Sequence, residues 1–142
     1  MAKLRAVMDT NVLVAAFRSR RGASFEVFRR LRRGEWTAVV SNHLLFEYEE
    51  VMKRDAAALG LNLDEIDELL NAICARADEW PLKHGWEPIL PDPDDEPLVQ
   101  LAHESGAMRL ISHNIRHLRP AAEMGIQILK PGEFFRILTA QS

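Results

Sequence analysis

A chain of 142 residues, 47% apolar and 27% charged, has material for one domain with a packed core and too little for two. Its formal charge of -3 excludes a molecule that holds nucleic acid through a uniformly basic surface, and no apolar run approaches the length of a membrane span. The opening Met-Ala-Lys-Leu-Arg lacks the long apolar segment of a secretory signal and the lone Cys74 cannot close an internal disulfide, so a cytosolic protein is expected.

In chain order, Leu4 to Met8 (LRAVM) reads as a short buried strand ended by Asp9-Thr10-Asn11, with the apolar run Val12 to Phe17 on a helix behind it. Gly22 to Arg33 reads as a helix burying Phe25, Phe28 and Leu31, with arginines outward. Thr37 to Val40 is a second strand, and Ser41 or Asn42 caps the next helix. Asn62 caps an amphipathic helix carrying Leu63, Ile66, Leu69, Leu70 and Ile73 at helical spacing, expected to be plain core. Cys74 is expected as a core thiol, Trp80 and Trp86 as packing aromatics.

Trp80 to Pro93, with four prolines, reads as loop with one extended piece, Glu87 to Leu90, and an exposed His84. Asp95 is positioned to cap a helix through Ser105, with Pro97 in its first turn and Gly106 as its stop. Met108 to Ser112 and Ile126 to Leu129 are strands, and Pro131 opens a last helix through Leu138. Strands alternating with helices and no internal repeat predict a single α/β domain over residues 1–142. In such folds ligands sit beyond the carboxyl ends of the strands. Asp9-Thr10-Asn11 and Ser112-His113-Asn114 both follow strand ends and are expected to face one crevice.

Charge is unevenly spread. Residues 18–33 hold seven arginines and one acid, Glu26, whereas acids gather at 47–50, 64–68 and 92–96. This is the distribution of a metal-dependent enzyme acting on a polyanion, and equally that of solvated helix faces. Asp9, set between two apolar runs, needs a cap, a partner or a metal to be tolerated. On the helix after Asn42, periodicity puts Glu47 and Glu49 beside the apolar stripe of Leu44, Tyr48, Val51 and Met52, with Glu50 pointing away. Asp92, Asp94, Asp95 and Glu96 exceed what one helix cap requires, and crowded carboxylates repel unless a cation joins them. Oxygen donors of this kind suit Mg²⁺ or Mn²⁺ rather than an imidazole-rich zinc site built on His113 and His117.

The segments AVMDTNVLVAAF, VSNHLLFEYEEVM, PDPDDEPLVQLAHESGAMRLISHNIRHL and GIQILKPGEFF, in that order, resemble the PIN-domain proteins, of the kind found as ribonuclease toxins in bacterial toxin–antitoxin pairs. The resemblance implies a three-layer fold with a central, mostly parallel sheet of four to five strands flanked by helices. It implies a metal-dependent endoribonuclease that uses Mg²⁺ or Mn²⁺, with Asp9, Glu47 and Asp95 as metal ligands; matching the helix glutamate selects Glu47 over Glu49. Asn11 and Ser112 match small polar positions that support the acids or the nucleophilic water. Asn114 stands where the family's fourth acid normally lies, which removes one negative charge from the site. A small antitoxin and a homodimer are expected on the same basis.

Arg18, Arg20, Arg21, Arg116 and His117 are the expected phosphate contacts on RNA. Two other readings compete. The Asn114 substitution suits a PIN-fold binding module with weak or absent catalysis. A phosphatase of the haloacid-dehalogenase type would need an acid two residues after Asp9, where Asn11 stands, and a receiver domain would need an acidic pair where the strand ends in one Asp.

Overall fold

A computed structural model describes residues 3–141. Five short strands form one sheet: β1 (Arg5–Met8), β2 (Thr37–Val40), β3 (Ala77–Glu79), β4 (Arg109–Ile111) and β5 (Gln127–Leu129). The order is β3-β2-β1-β4-β5 and every pairing is parallel. Successive side chains of a strand point to opposite faces, yet Ala6, Val7 and Met8 are all fully buried, as are Ala38, Val39 and Val40. Both faces of the sheet centre are therefore covered, which is why these strands are continuous apolar runs rather than alternating ones.

The cover is supplied by eight α-helices among the described residues: α1 (Thr10–Arg18), α2 (Ala23–Arg32), α3 (Asn42–Arg54), α4 (Ala56–Leu59), α5 (Leu63–Ala75), α6 (Glu96–Glu104), α7 (Ile115–Leu118) and α8 (Pro131–Ala140). The expected α/β architecture with a mostly parallel sheet is present, with the parallel character complete. Local signals set the helix ends. Ser41 Oγ accepts from the Leu44 amide, Asn62 and Glu65 form a reciprocal capping box, and Gly106, at φ 76°, turns the chain out of α6. In the core, Trp36 meets Phe134 edge to face at 5.0 Å and donates its indole N–H to the Val27 carbonyl. No helix among the described residues is long and apolar enough to cross a membrane.

The topology has one switch point. The chain builds outward from β1 through β2 to β3, then returns to the other side of β1 for β4 and β5. Crossovers leaving β1 and β4 diverge there, which opens a crevice at the carboxyl ends of these two strands.

Glu87 to Leu90 lies in loop and pairs with no strand; the Ile89 and Leu90 amides donate to the buried carboxylate of Glu96. Several expectations are corrected. The fifth strand is β3, an edge strand whose Ala-Asp-Glu sequence carries no β signal of its own. Cys74 is exposed, one residue beyond Ile73 and so about 100° off the buried stripe. Leu63 at the start of the same helix is exposed, while Ile66, Leu69 and Ile73 are core. Trp80 is an exposed edge residue with the Arg5 guanidinium over its ring, whereas Trp86 packs against the core as expected, half-buried and donating to Glu96. Phe25 is half-buried against Phe17. His84 is exposed as expected. The arginines of α2 are partly neutralised in place: Arg29 pairs with Glu26, and Arg30 pairs with Glu35 while covering Phe135.

Candidate active site

Asp9 follows β1 at the switch point, its amide donating to the Ile111 carbonyl of β4. Although it occupies the N-cap position of α1, its side chain makes no capping hydrogen bond. The carboxylate is committed elsewhere: Oδ2 accepts from Ser112 Oγ at 2.7 Å and from Asn11 Nδ2 at 3.2 Å. Ser112, fully buried, also accepts from the Asn114 amide at 2.9 Å, and Asn11 Oδ1 accepts from the His113 amide at 3.2 Å. Residues about a hundred positions apart thus form one polar knot across the two central strand ends. It holds Asp9 at a fixed place through Ser112 and Asn11, which are themselves hydrogen-bonded to the chain after β4.

Glu47 and Asp95 face the same cleft, a cavity of about 580 Å³ whose lining includes Asp9, Asn11, Glu47, Asp95 and Asn114. Helical periodicity alone leaves Glu47 and Glu49 equivalent; here Glu49 turns to Lys53, which also binds Asp67, and Glu47 is left to the cleft. The four-acid run after Pro91 divides its labour. Asp92 caps the short turn of residues 93–95 by accepting from the Asp94 amide. Glu96 is buried as the acceptor for Trp86 and two loop amides. Asp95, expected as a helix cap, makes no capping hydrogen bond, and its carboxylate is free to enter the cleft.

Burial raises the pKa of all three cleft carboxylates. For Asp9 the Ser112 hydrogen bond and the nearby Thr10 and Asn11 amides offset part of the rise. Glu47 is raised by burial and next by the charge of Asp9; Asp95 is raised by burial, then by Asp9 and by Asp92. His43 near Glu47 and His117 near Asp95 act in the opposite sense. One further polar atom is under-satisfied: the Thr10 hydroxyl is buried in the cleft wall, close to Glu47 but without a hydrogen bond of good geometry.

Mutually repelling carboxylates and an orphaned hydroxyl form a set of hard oxygen donors lacking positive charge, and that set fits Mg²⁺ or Mn²⁺. Among the described residues no three acidic, histidine or cysteine side chains stand close enough to enclose an ion unaided. Mg²⁺ does not demand this, because it retains several waters and binds through one or two carboxylates.

The expected phosphate contacts separate. Arg18, in the last turn of α1, lines the cleft. Arg20 lies over the Phe17 ring at 5.8 Å, and neither it nor Arg21 lines the cleft. Arg116 and His117 line a neighbouring recess. His113 lines the cleft margin with its ring hydrogen-bonded to Ser24, Nε2 to Oγ at 2.9 Å.

Sequence reading missed two groups. Arg54, paired with Asp55, lines the cleft one and two turns beyond Val51 and Glu47, and the spacing 47, 51, 54 is a helical face that could have found it. Tyr48, assigned only to the apolar stripe, is fully buried and donates its hydroxyl to the Met8 carbonyl, directly before Asp9. It ties α3, which carries Glu47, to the strand end that carries Asp9. Tyr48→Phe is expected to lower unfolding free energy by about 1–2 kcal/mol, read from denaturant midpoints at unchanged slope.

Compared with curated proteins one by one, the chain has no significant match. Residues 5–116, which contain β1 through α6, β4 and the whole acid-lined cleft, match the PIN domain. The chain therefore belongs to the PIN domain family, whose members are generally nucleases that use divalent metals.

Proposed function

We propose that this protein is a metal-dependent endoribonuclease whose reaction takes place in the cleft of Asp9, Glu47 and Asp95. The observation that carries this reading is the convergence of three carboxylates, from β1, α3 and the turn before α6, on one open cleft where each is held above its ordinary pKa. These three would hold Mg²⁺ or Mn²⁺, with Thr10 and Asn114 as neutral oxygen donors beside them. When bound, the ion supplies a water nucleophile at neutral pH and neutralises charge on the phosphate.

The chain's own residues do the rest. Ser112 and Asn11 hold the Asp9 carboxylate by donating to Oδ2, which keeps it oriented, and the Ser112 bond offsets part of the pKa rise that burial imposes. Arg18 and Arg54, which line the cleft, would meet non-bridging phosphate oxygens. No side chain need bond covalently to the substrate. The test is cleavage of single-stranded and structured RNA in the presence of Mg²⁺ or Mn²⁺. Asp95→Asn is expected to reduce the rate by roughly 100-fold or more, and an unchanged rate would remove the carboxylates from the reaction.

Within this reading, a toxin role with a small antitoxin partner and a homodimeric state are part of the proposal, supported by the resemblance in the ordered motifs. Exposed Phe46, next to Glu47 on α3, and exposed Leu63 are large apolar side chains open to such contacts. A second reading, an RNA- or protein-binding module with weak catalysis, has one observation in its favour. Asn114 contributes no charge, and no three ligating side chains close on an ion among the described residues. Binding of RNA without any Mn²⁺-dependent cleavage would select it.

A further inference from the structure

Beside the acid-lined cleft lies a second recess, of about 340 Å³, with the opposite charge character. Its lining includes Arg116, His117, Arg119 and Lys130 and contains no carboxylate. It shares His113 and Asn114 with the acid-lined cleft, so the two are contiguous at the rim of the polar knot. These cations come from the connection after β4 and from the residue after β5, and so stand at the same carboxyl edge of the sheet as Asp9.

The recess cations differ from those that are neutralised in place elsewhere in the molecule. Arg5, Arg29, Arg30, Lys53 and Arg54 each pair with a carboxylate at 2.7 to 3.3 Å. Among the described residues Arg116, Arg119 and Lys130 have no such partner. In a chain of net charge -3, three unpaired cations around one concavity repel each other and gain only from an anion placed between them. The rim is also held in place. The His113 ring is fixed by Ser24, itself buried, and the His113 amide by Asn11.

We infer that this recess binds a backbone phosphate of the RNA strand, flanking the phosphate at the acid-lined cleft. Single-stranded RNA then crosses the carboxyl edge of the sheet from the carboxylates toward Arg119 and Lys130, and of Arg18, Arg20 and Arg21 only Arg18, in the last turn of α1, lines the path. The inference rests on the reading of the cleft as the site of phosphodiester cleavage. It adds Arg119 and Lys130 as binding residues and the direction in which the strand leaves the site.

The experiment is fluorescence anisotropy with a labelled single-stranded oligoribonucleotide in EDTA, repeated over a range of salt concentrations, so that binding is read without catalysis. The double variant Arg119→Ala/Lys130→Ala removes two exposed cations from the recess. Arg32→Ala/Arg33→Ala removes two exposed cations from the end of α2, before β2 and hence at the opposite edge of the sheet. The recess variant is expected to bind roughly tenfold more weakly, with the slope of log affinity against log salt reduced by about 0.7 for each phosphate left without its cation, while the control variant matches wild type.

An unchanged slope in the recess variant, or an equal loss in the control, overturns the inference. Mn²⁺-dependent cleavage measured on the same proteins separates the two readings. If wild type does not cleave but the recess variant still loses affinity and slope, the recess stands and the nuclease fails. If wild type cleaves and the recess variant binds with unchanged slope, the nuclease stands and the recess fails.

Discussion

Asp9→Asn is expected to lower the metal-dependent cleavage rate by about 10³-fold, equivalent to ~4 kcal/mol of transition-state stabilisation, and at the same time to make the metal-free protein harder to melt at neutral pH. The two effects share one cause. Asp9 is buried and its folded-state pKa is raised, first by desolvation, against which the Ser112 hydrogen bond is only a partial offset. A carboxyl whose pKa is raised by folding contributes stability below its unfolded value and loses that contribution as pH rises through the folded value. Glu47 and Asp95 are raised in the same direction, partly by the charge of Asp9.

Above the folded pKa of these groups the metal-free fold therefore carries ionised carboxylates that it would hold more stably protonated. Asparagine retains an oxygen to accept from Ser112 and Asn11 while removing the charge. Each kcal/mol recovered would raise Tm by about 2–4 °C in a domain of this size. The check is a pair of thermal scans in EDTA, near pH 4.5 and near pH 7.5 (values chosen from the ordinary carboxylate range, about 4, and well above it). The gain of Asp9→Asn over wild type should appear at the higher pH and shrink at the lower one. A variant that loses activity only because it is misfolded would melt earlier at both.

The second large effect is expected at Ser112, which never touches the substrate in this account and acts by positioning Asp9. Its hydroxyl donates to Asp9 Oδ2 and accepts from the Asn114 amide, and Asn11 lies 3.3 Å away on the same oxygen. Ser112→Ala removes this junction from a fully buried site and leaves the Asp9 carboxylate with one side-chain donor, Asn11. Loss of an outer hydrogen bond to a metal ligand costs about 10–100-fold in activity or metal affinity. The diagnostic readout is the pH profile. The Ser112 hydrogen bond lowers the Asp9 pKa, so its removal raises that pKa further. The acid limb of the rate profile then moves to higher pH. Ser112→Thr, which keeps the hydroxyl, should return the limb toward its wild-type position. A general loosening of the fold would reduce the rate without moving the limb.

Much of this site was legible in the sequence because position along a parallel α/β chain encodes position in space. Asp9 and Ser112 end short apolar runs, and runs that end at a switch point meet at one crevice. Glu47 was legible only to within a choice. Glu47 and Glu49 sit symmetrically about the stripe of Tyr48, and the tie is broken by Lys53 and Asp67, a pairing between α3 and α5 that no local pattern announces. Asp95 looked like a cap because a carboxylate before a helix usually is one; the cap is three residues earlier, at Asp92.

β3 escaped notice because an edge strand needs only to pair with β2, and Ala-Asp-Glu leaves two of its three side chains exposed. The apolar Ile89-Leu90, read as an extended piece of loop, pairs with no strand, and its amides answer the buried Glu96. Cys74 was misplaced by composition: a thiol is usually core, yet one step past Ile73 on a helix turns it out of the stripe. The recess at Arg119 and Lys130 joins residues from either side of β5, a juxtaposition that exists only once the sheet order is known.

The central claim, that three carboxylates and their polar supports hold a divalent cation, is tested most directly by titration calorimetry of Mn²⁺ into the purified protein at neutral pH, wild type beside Asp9→Asn. Saturable binding at millimolar or lower concentration, lost in Asp9→Asn, is the result expected. Wild type that takes up no Mn²⁺ in that range, or Asp9→Asn that binds it equally well, would contradict the account.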